Sequence, residues 1–321
     1  MTDFTELAPF TYTVLILMVV LSIKSLVDYF NTYEPLRFFR FYCLQLANKV
    51  NNSKSSTAHQ TLAGLLALFV TLVPISLILW LFADFIAVNY LWQGSLLYLA
   101  LGSLNAGKTN KAIVQALVAK QTTRAKKMLE PLLLRATAQL SQVGLSKAAI
   151  EMQLLRTVQQ IFVVSFIFIT LGPLAALSYR LILEMHYCWN TKLPQYKYFG
   201  FYSQFFSTIV QWLPSRLMAL LILLNTLGRG RLLPWRLTRK YFFKLNSDFV
   251  IAAHAFSLGI RLGGVAMYQQ EKLRKIAFND LGKQPLPRDV IKATSNLHIA
   301  MFSGLLLLII LTLGWQLTLL N

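Results

Sequence analysis

Residues 256–268 read FSLGIRLGGVAMY, with Arg261 set among Gly259, Gly263 and Gly264 and followed by Tyr268. A guanidinium beside glycine-rich backbone suits a carboxylate or phosphate, because its planar fork meets two oxyanion oxygens at once. Small residues at this spacing equally suit a close helix–helix contact, and the residues alone leave both readings open. Arg216 interrupts an apolar run in Trp212-Leu-Pro-Ser-Arg-Leu. An arginine at mid-membrane costs on the order of 2.5–3.5 kcal/mol on insertion scales, so it either faces protein or water, or snorkels to the interface. Pro214 removes a backbone donor beside it and bends the helix. Arg180 ends another apolar run with the same ambiguity, leaning toward an anchor.

Other chemistry is thinly supported. Gly102–Thr109 reads GSLNAGKT and satisfies the phosphate-loop pattern. Such a loop must follow a buried strand in a parallel sheet, whereas this one follows an apolar span, so coincidence is the expected reading. Cys43 and Cys188 are the only cysteines, which excludes a disulfide framework and a cysteine metal site. The histidines at 59, 186, 254 and 298 are scattered. No metal site and no catalytic residue is expected from spacing.

These side chains must be positioned by membrane helices. Of the residues, 56% are hydrophobic and 13% charged, about half the usual charged share. The apolar residues come in blocks near 8–26, 61–82, 85–104, 158–180, 208–227 and 299–320, each close to the roughly 20 residues that cross a bilayer. The block at 85–104 is interrupted by Asn89, Gln93 and Gly94. The expected fold is an all-α polytopic membrane protein of about six apolar helices. Residues 1–8 carry Asp3 and Glu6 and no basic residue, the reverse of a leader peptide, so the first span is expected to remain.

The net charge of +19 follows the same topology. Basic residues gather in 24–60, 105–157 and 228–298, and six spans place all three segments in the cytoplasm. The charge therefore speaks for a bacterial inner membrane and against nucleic acid as a partner. Residues 181–207 fit less well. They would lie outside, yet hold Lys192, Lys197 and many aromatics; a re-entrant pair of helices would return them to the cytoplasm, and both arrangements stay open. Residues 108–129 suggest one helix ending before Pro131, Ser146 begins another that runs into the fourth span, and 228–240 is a basic juxtamembrane stretch that suits anionic lipid.

Several of these elements together resemble the CobD/CbiB family of cobalamin biosynthesis. The carriers are Asn246, then Leu258-Gly259-Ile260-Arg261-Leu262-Gly263-Gly264 and Tyr268, Leu281-Gly282 and Pro287-Arg288-Asp289. Upstream stand Trp212-Leu-Pro-Ser-Arg216-Leu, Phe199-Gly200, Tyr179-Arg180 and Arg135-Ala-Thr137. The resemblance covers nearly the whole chain as one membrane domain and is thin before residue 95. It implies attachment of aminopropanol, or its phosphate, to a propionate of cobyric acid. It also implies a corrinoid substrate and, if the activity is retained, ATP and Mg²⁺. Arg216, Asn246, Arg261, Gly263, Gly264, Tyr268, Arg180 and Arg135 become the expected substrate-binding residues, with Asn246 orienting one partner.

Departures cluster on acids. Ser207-Thr208 stands where the family has an Asp-Asp pair, and Ala136 replaces the Asp of Arg-Asp-Thr. Leu183 and His186 replace an Asn and an Asp, and residues near Gln159–Val164 replace further polar and acidic positions. Hard cations take oxygen ligands, usually carboxylates, so this loss leaves activity uncertain. It also points to the sister AmpE family, a non-catalytic regulatory membrane protein linked to β-lactamase induction, with which Pro234-Trp235 is shared. A homo-oligomer or a membrane partner would fit either family.

Overall fold

The computed structural model describes residues 9–30, 35–52, 54–133, 137–226, 233–268 and 271–320. Helices follow one another along almost all of them: α1 (Pro9–Phe30), α2 (Arg37–Val50), α3 (Thr57–Ala83), α4 (Asn89–Ala100), α5 (Ala106–Val118) and α6 (Thr122–Leu129). Then come α7 (Gln142–Thr157), α8 (Val163–Leu171), α9 (Pro173–Cys188), α10 (Phe201–Leu224), α11 (Leu233–Thr238), α12 (Asp248–Leu258) and α13 (Pro287–Leu320). A π-helical turn, Val158–Phe162, joins α7 to α8. The exception to helix is a hairpin of β1 (Leu262–Tyr268) and β2 (Glu271–Phe278), antiparallel in register from Leu262↔Phe278 to Tyr268↔Glu271.

Among the described residues, five helical runs are long and apolar enough to cross a membrane: Pro9–Phe30, Thr57–Ala83, Gln142–Leu171, Phe201–Leu224 and Pro287–Thr318. The expected all-α polytopic architecture is present, with the apolar blocks divided differently. The block at 85–104 yields a helix of 12 residues, about 18 Å of rise against about 30 Å of hydrocarbon. The block at 158–180 is cut at Gly172, which takes φ +89°, and Pro173 starts a new helix, as its fixed φ favours. The span instead reaches back to Gln142, where the Ser141 hydroxyl accepts from the Gly144 amide at 3.2 Å. The helix thus begins four residues before the expected start near Ser146. The expected helix over 108–129 is broken where Lys120 takes φ +57°.

Burial separates two kinds of span. In α1, α3 and α13 only 22%, 22% and 17% of the most apolar window is buried, against 56% in the α7–α8 run and 50% in α10. The first three expose Leu, Val, Ile and Phe along their lengths, the pattern of helices solvated by lipid.

The chain divides into two compact units. The first comprises 1–103, 159–211 and 306–321; the second comprises 104–158 and 212–305. In the first unit α8 and α9 pack closely on each other and α9 lies against α2, α3 and α4. The Trp189 indole donates to the Cys43 carbonyl at 2.9 Å, and the Asn51 amide donates to the Gln195 carbonyl at 2.8 Å. Gly200 turns the chain here, since a Cβ would lie 1.8 Å from the Trp189 carbonyl oxygen. Residues 189–200 therefore sit against the first basic segment.

In the second unit, α5, α6 and α7 pack together and α7 meets β1. The side chains of Asn110, Gln153 and Thr294 form a buried hydrogen-bonded group from α5, α7 and α13. The basic segments 105–157 and 228–298 thus share one packed body.

Candidate functional site

The second unit holds most of the residues expected to bind substrate, and it gives them separate tasks. Arg216 is 2% exposed. Its Nε donates to the Phe242 carbonyl at 2.9 Å, Nη1 to the Trp212 carbonyl at 3.2 Å, the Ser215 hydroxyl at 3.0 Å and the Asn246 carbonyl at 3.3 Å, and Nη2 to the Lys244 carbonyl. It also lies over the Trp212 ring, 5.0 Å from its centroid. A guanidinium has donors on all three nitrogens, and here each of the three binds a carbonyl of loop 242–246. Arg216 faces protein, as its burial requires, and holds that loop.

Asn246 is likewise a turn former. Its side-chain oxygen accepts from the Asp248 amide at 3.1 Å and its Nδ2 donates to the Asp248 carboxylate at 2.8 Å, the local bonding that starts α12. Asn246 and Arg261 stand at opposite ends of the 11-residue α12, separated by about 16 Å of helical rise.

Arg261 pairs with Asp280 at 3.0 Å, with side chains 39% and 68% exposed. Gly263 and Gly264 take φ +72° and +94° at a bulge in the hairpin. The Gly263 amide donates to Glu151 of α7 at 2.8 Å. The glycine-rich stretch is therefore part of a strand pair, and the Gly263 amide in it is held by a carboxylate. Tyr268 lies in β1, paired with Glu271. Arg135 lies outside the described residues. His254, fully buried in α12, has its imidazole pushed down to about 3 by burial and stays neutral. Gly102–Thr109 follows helix α4, not a strand, so its likeness to a phosphate loop has no structural basis.

A polar core in the first unit is where the chemistry concentrates. Its frame is the π turn, which carries Gln159 and Gln160; such turns recur at functional sites because the extra residue re-aims side chains. Gln159 Nε2 donates to Gln211 Oε1 at 2.9 Å, and Gln211 Nε2 donates to the Ser207 hydroxyl at 2.5 Å. The Tyr187 hydroxyl donates to Gln159 Oε1 at 2.8 Å and the Tyr179 hydroxyl to the Gln159 carbonyl at 3.0 Å. Positions where the family resemblance implies acids, Ser207 and the stretch at Gln159, thus meet in space as neutral amides and hydroxyls.

Beside Tyr179 lies Arg180, 4% exposed, paired through Nη1 with the fully buried Glu184 at 2.6 Å. Arg40 of α2 binds the same carboxylate through Nε at 2.6 Å and Nη2 at 3.3 Å. Lys24 of α1, 1% exposed, rests its ammonium over the Tyr98 ring of α4, 4.2 Å from the centroid. Asp28, one turn further along α1, is 2% exposed. Sequence reasoning named Arg180 and missed Lys24, Arg40, Asp28 and Glu184. Their signals were spacing: Lys24 and Asp28 continue the buried face Val14, Leu17 and Val20 of α1, and Glu184 is four residues after Arg180.

Magnesium calls for oxygen ligands, mostly carboxylates. Among the described residues no three His, Cys, Asp or Glu side chains group to hold a metal ion, and Glu184 is taken by two guanidiniums. The donors in this core do not fit a protein-held Mg²⁺.

Lipid-facing helices around a buried core of amides, arginines and a lysine define a multi-pass membrane protein with a polar site inside its helical body. Comparison with known proteins gives the family. A model of the CobD/Cbib protein family matches residues 17–297, and the chain belongs to that family. It is 28% identical over 252 residues to cobalamin biosynthesis protein CobD of Stutzerimonas stutzeri, covering 78% of this chain and 82% of the relative. It is 30% identical over 207 residues to that of Chromobacterium violaceum, covering 64% and 66%. A probable CobD of Thermoplasma volcanium is 25% identical over 255 residues, covering 78% and 80%. No solved structure matches. The AmpE-like alternative draws no support from these relatives.

Proposed function

We propose that this protein acts in cobalamin biosynthesis in the bacterial inner membrane, joining aminopropanol or its phosphate to a propionate of cobyric acid. The observation that carries the reading is the family match over 17–297, which includes both the polar core and the hairpin. The core's chemistry is compatible with it: a propionate or a phosphate is an oxyanion, and Arg180 and Lys24 are buried cations with donors to offer. Tyr179, Tyr187 and the Gln159–Gln211 pair hold the walls of that core in fixed geometry.

The test is growth. A strain lacking its own synthase, supplied with cobyric acid, should grow when this chain is expressed, and Arg180→Gln should abolish that growth. No growth, with wild-type protein present in the membrane at normal levels, would overturn the reading.

A further inference from the structure

Two cysteines are too few for a disulfide framework, yet the fold of the first unit makes neighbours of them. α2 and α9 pack on each other, and direct bonds fix how they line up. Arg40 Nε meets Glu184 Oε2 at 2.6 Å, and the Cys188 thiol donates to the Arg40 carbonyl at 3.8 Å. The Trp189 indole donates to the Cys43 carbonyl at 2.9 Å, and the Asn51 amide to the Gln195 carbonyl at 2.8 Å. The partners stand 144 to 148 residues apart and advance together, so the two segments run parallel. Cys43 and Cys188 share that separation.

Each cysteine also lies one turn beyond a member of the Arg40–Glu184 ion pair. Residues three or four apart share a helix face, so the faces that join Arg40 to Glu184 bring Cys43 to Cys188. The neighbouring Cys188 side chain, and burial after it, push the Cys43 thiol's pKa up. Cys43 is fully buried, whereas Cys188 is half-buried and open to a small reagent.

We propose that Cys43 and Cys188 are an oxidisable pair that a hydroperoxide converts to a disulfide, clamping α2 to α9 beside the Arg40–Glu184 ion pair. The more accessible Cys188 reacts first: its sulfur attacks a peroxide oxygen, the O–O bond breaks, and the departing oxygen takes the thiol proton as water. The Cys43 sulfur then attacks the Cys188 sulfenic acid and displaces hydroxide, which leaves as water with the Cys43 proton. Two thiols and one hydrogen peroxide thus give one disulfide and two waters. The pair lies in and against the first basic segment, which its charge places in the cytoplasm. Cytosolic disulfides are transient and redox-sensing, so this one forms under peroxide and is reversed by cellular dithiols. Once formed it holds Arg40 on Glu184, the carboxylate that Arg180 also uses. None of this depends on the pathway, and its test uses no corrinoid.

Membranes containing the full chain are treated with hydrogen peroxide, quenched in acid, denatured, alkylated with N-ethylmaleimide and digested for mass spectrometry. A linked peptide joining Cys43 to Cys188, lighter by two hydrogens, should appear, and dithiothreitol should abolish it. Untreated membranes should give both cysteines alkylated. In Cys43→Ser the sulfenic acid of Cys188 has no resolving thiol, so dimedone should trap more of it than in wild type. The melting temperature of the wild type should rise on oxidation and fall again with dithiothreitol, and that of Cys43→Ser should not rise. The idea fails if Cys188 proceeds to sulfinic acid while Cys43 stays alkylatable, or if the disulfide joins two chains on a non-reducing gel. It fails equally if the linked peptide appears only when sodium dodecyl sulfate unfolds the chain before peroxide is added.

Discussion

Arg216 and Arg261 looked alike in the sequence, and their surroundings give them opposite consequences. Truncating Arg216 to Ala strips loop 242–246 of the bonds from a 2%-exposed guanidinium. Each hydrogen bond to a charged group is worth about 1.5–3 kcal/mol, and orphaned carbonyls add desolvation cost. A total loss on the order of 3 kcal/mol or more is expected, enough to lower the yield of folded protein in detergent. Arg216→Lys should recover little of it, since an ammonium has three donors and no planar fork. Arg261→Ala breaks a pair whose side chains are 39% and 68% exposed, and such pairs contribute about 0–1 kcal/mol. Melting curves of the three variants check the order. An Arg261→Ala loss as large as that of Arg216→Ala would remove the distinction.

At the scale of elements, the hairpin after α12 depends on two glycines in unequal ways. Gly263 has φ +72° and a Cβ there would fall 2.2 Å from the Ile276 carbonyl oxygen, so Gly263→Ala meets both strain and a clash with backbone. Gly264 has φ +94° but open space around it, so Gly264→Ala meets strain alone, about 1–2 kcal/mol. Gly263→Ala should therefore destabilise more and should expose the hairpin to limited proteolysis near 269–275, while Gly264→Ala should leave the digestion pattern close to wild type. Equal sensitivity of the two would contradict the bulge geometry. The hairpin itself was not legible beforehand. Its glycines fit a helix contact as well as a turn, and β2, with Glu271, Lys272, Arg274 and Lys275, shows no alternation strong enough to outvote its helical neighbours. The long apolar helices were legible because continuous hydrophobicity needs no partner to be read. The break at Gly172-Pro173 was visible in the residues but hidden by the apolar runs on either side. In the polar core, Arg180 stood out as a charge in an apolar run, whereas Lys24 and Asp28 were assigned to a loop because they close a span. Glu184 acquires meaning only when α2 brings Arg40 to it.

For the whole molecule, charge and packing make separable statements about topology. Basic residues concentrate in 24–60, 105–157 and 228–298, and such segments stay cytoplasmic. Packing within the first unit ties 24–60 to the disputed stretch 189–200 through Trp189 with Cys43 and Asn51 with Gln195. Packing within the second ties 105–157 to 228–298 through Gly263 with Glu151 and Asn110 with Gln153 and Thr294. Each tie is short and direct, so its two ends must occupy the same side of the bilayer. Single cysteines placed at Asn52, Lys192, Gln121 and Lys283 of an otherwise cysteine-free chain, probed in intact cells with a membrane-impermeant maleimide, should all resist labelling until the cells are opened. Labelling at Lys192 but not Asn52 would break the packing of the first unit, and a split between Gln121 and Lys283 would break that of the second. Agreement within each pair but opposite sides for the two pairs would leave the packing intact and overturn the charge rule for this chain.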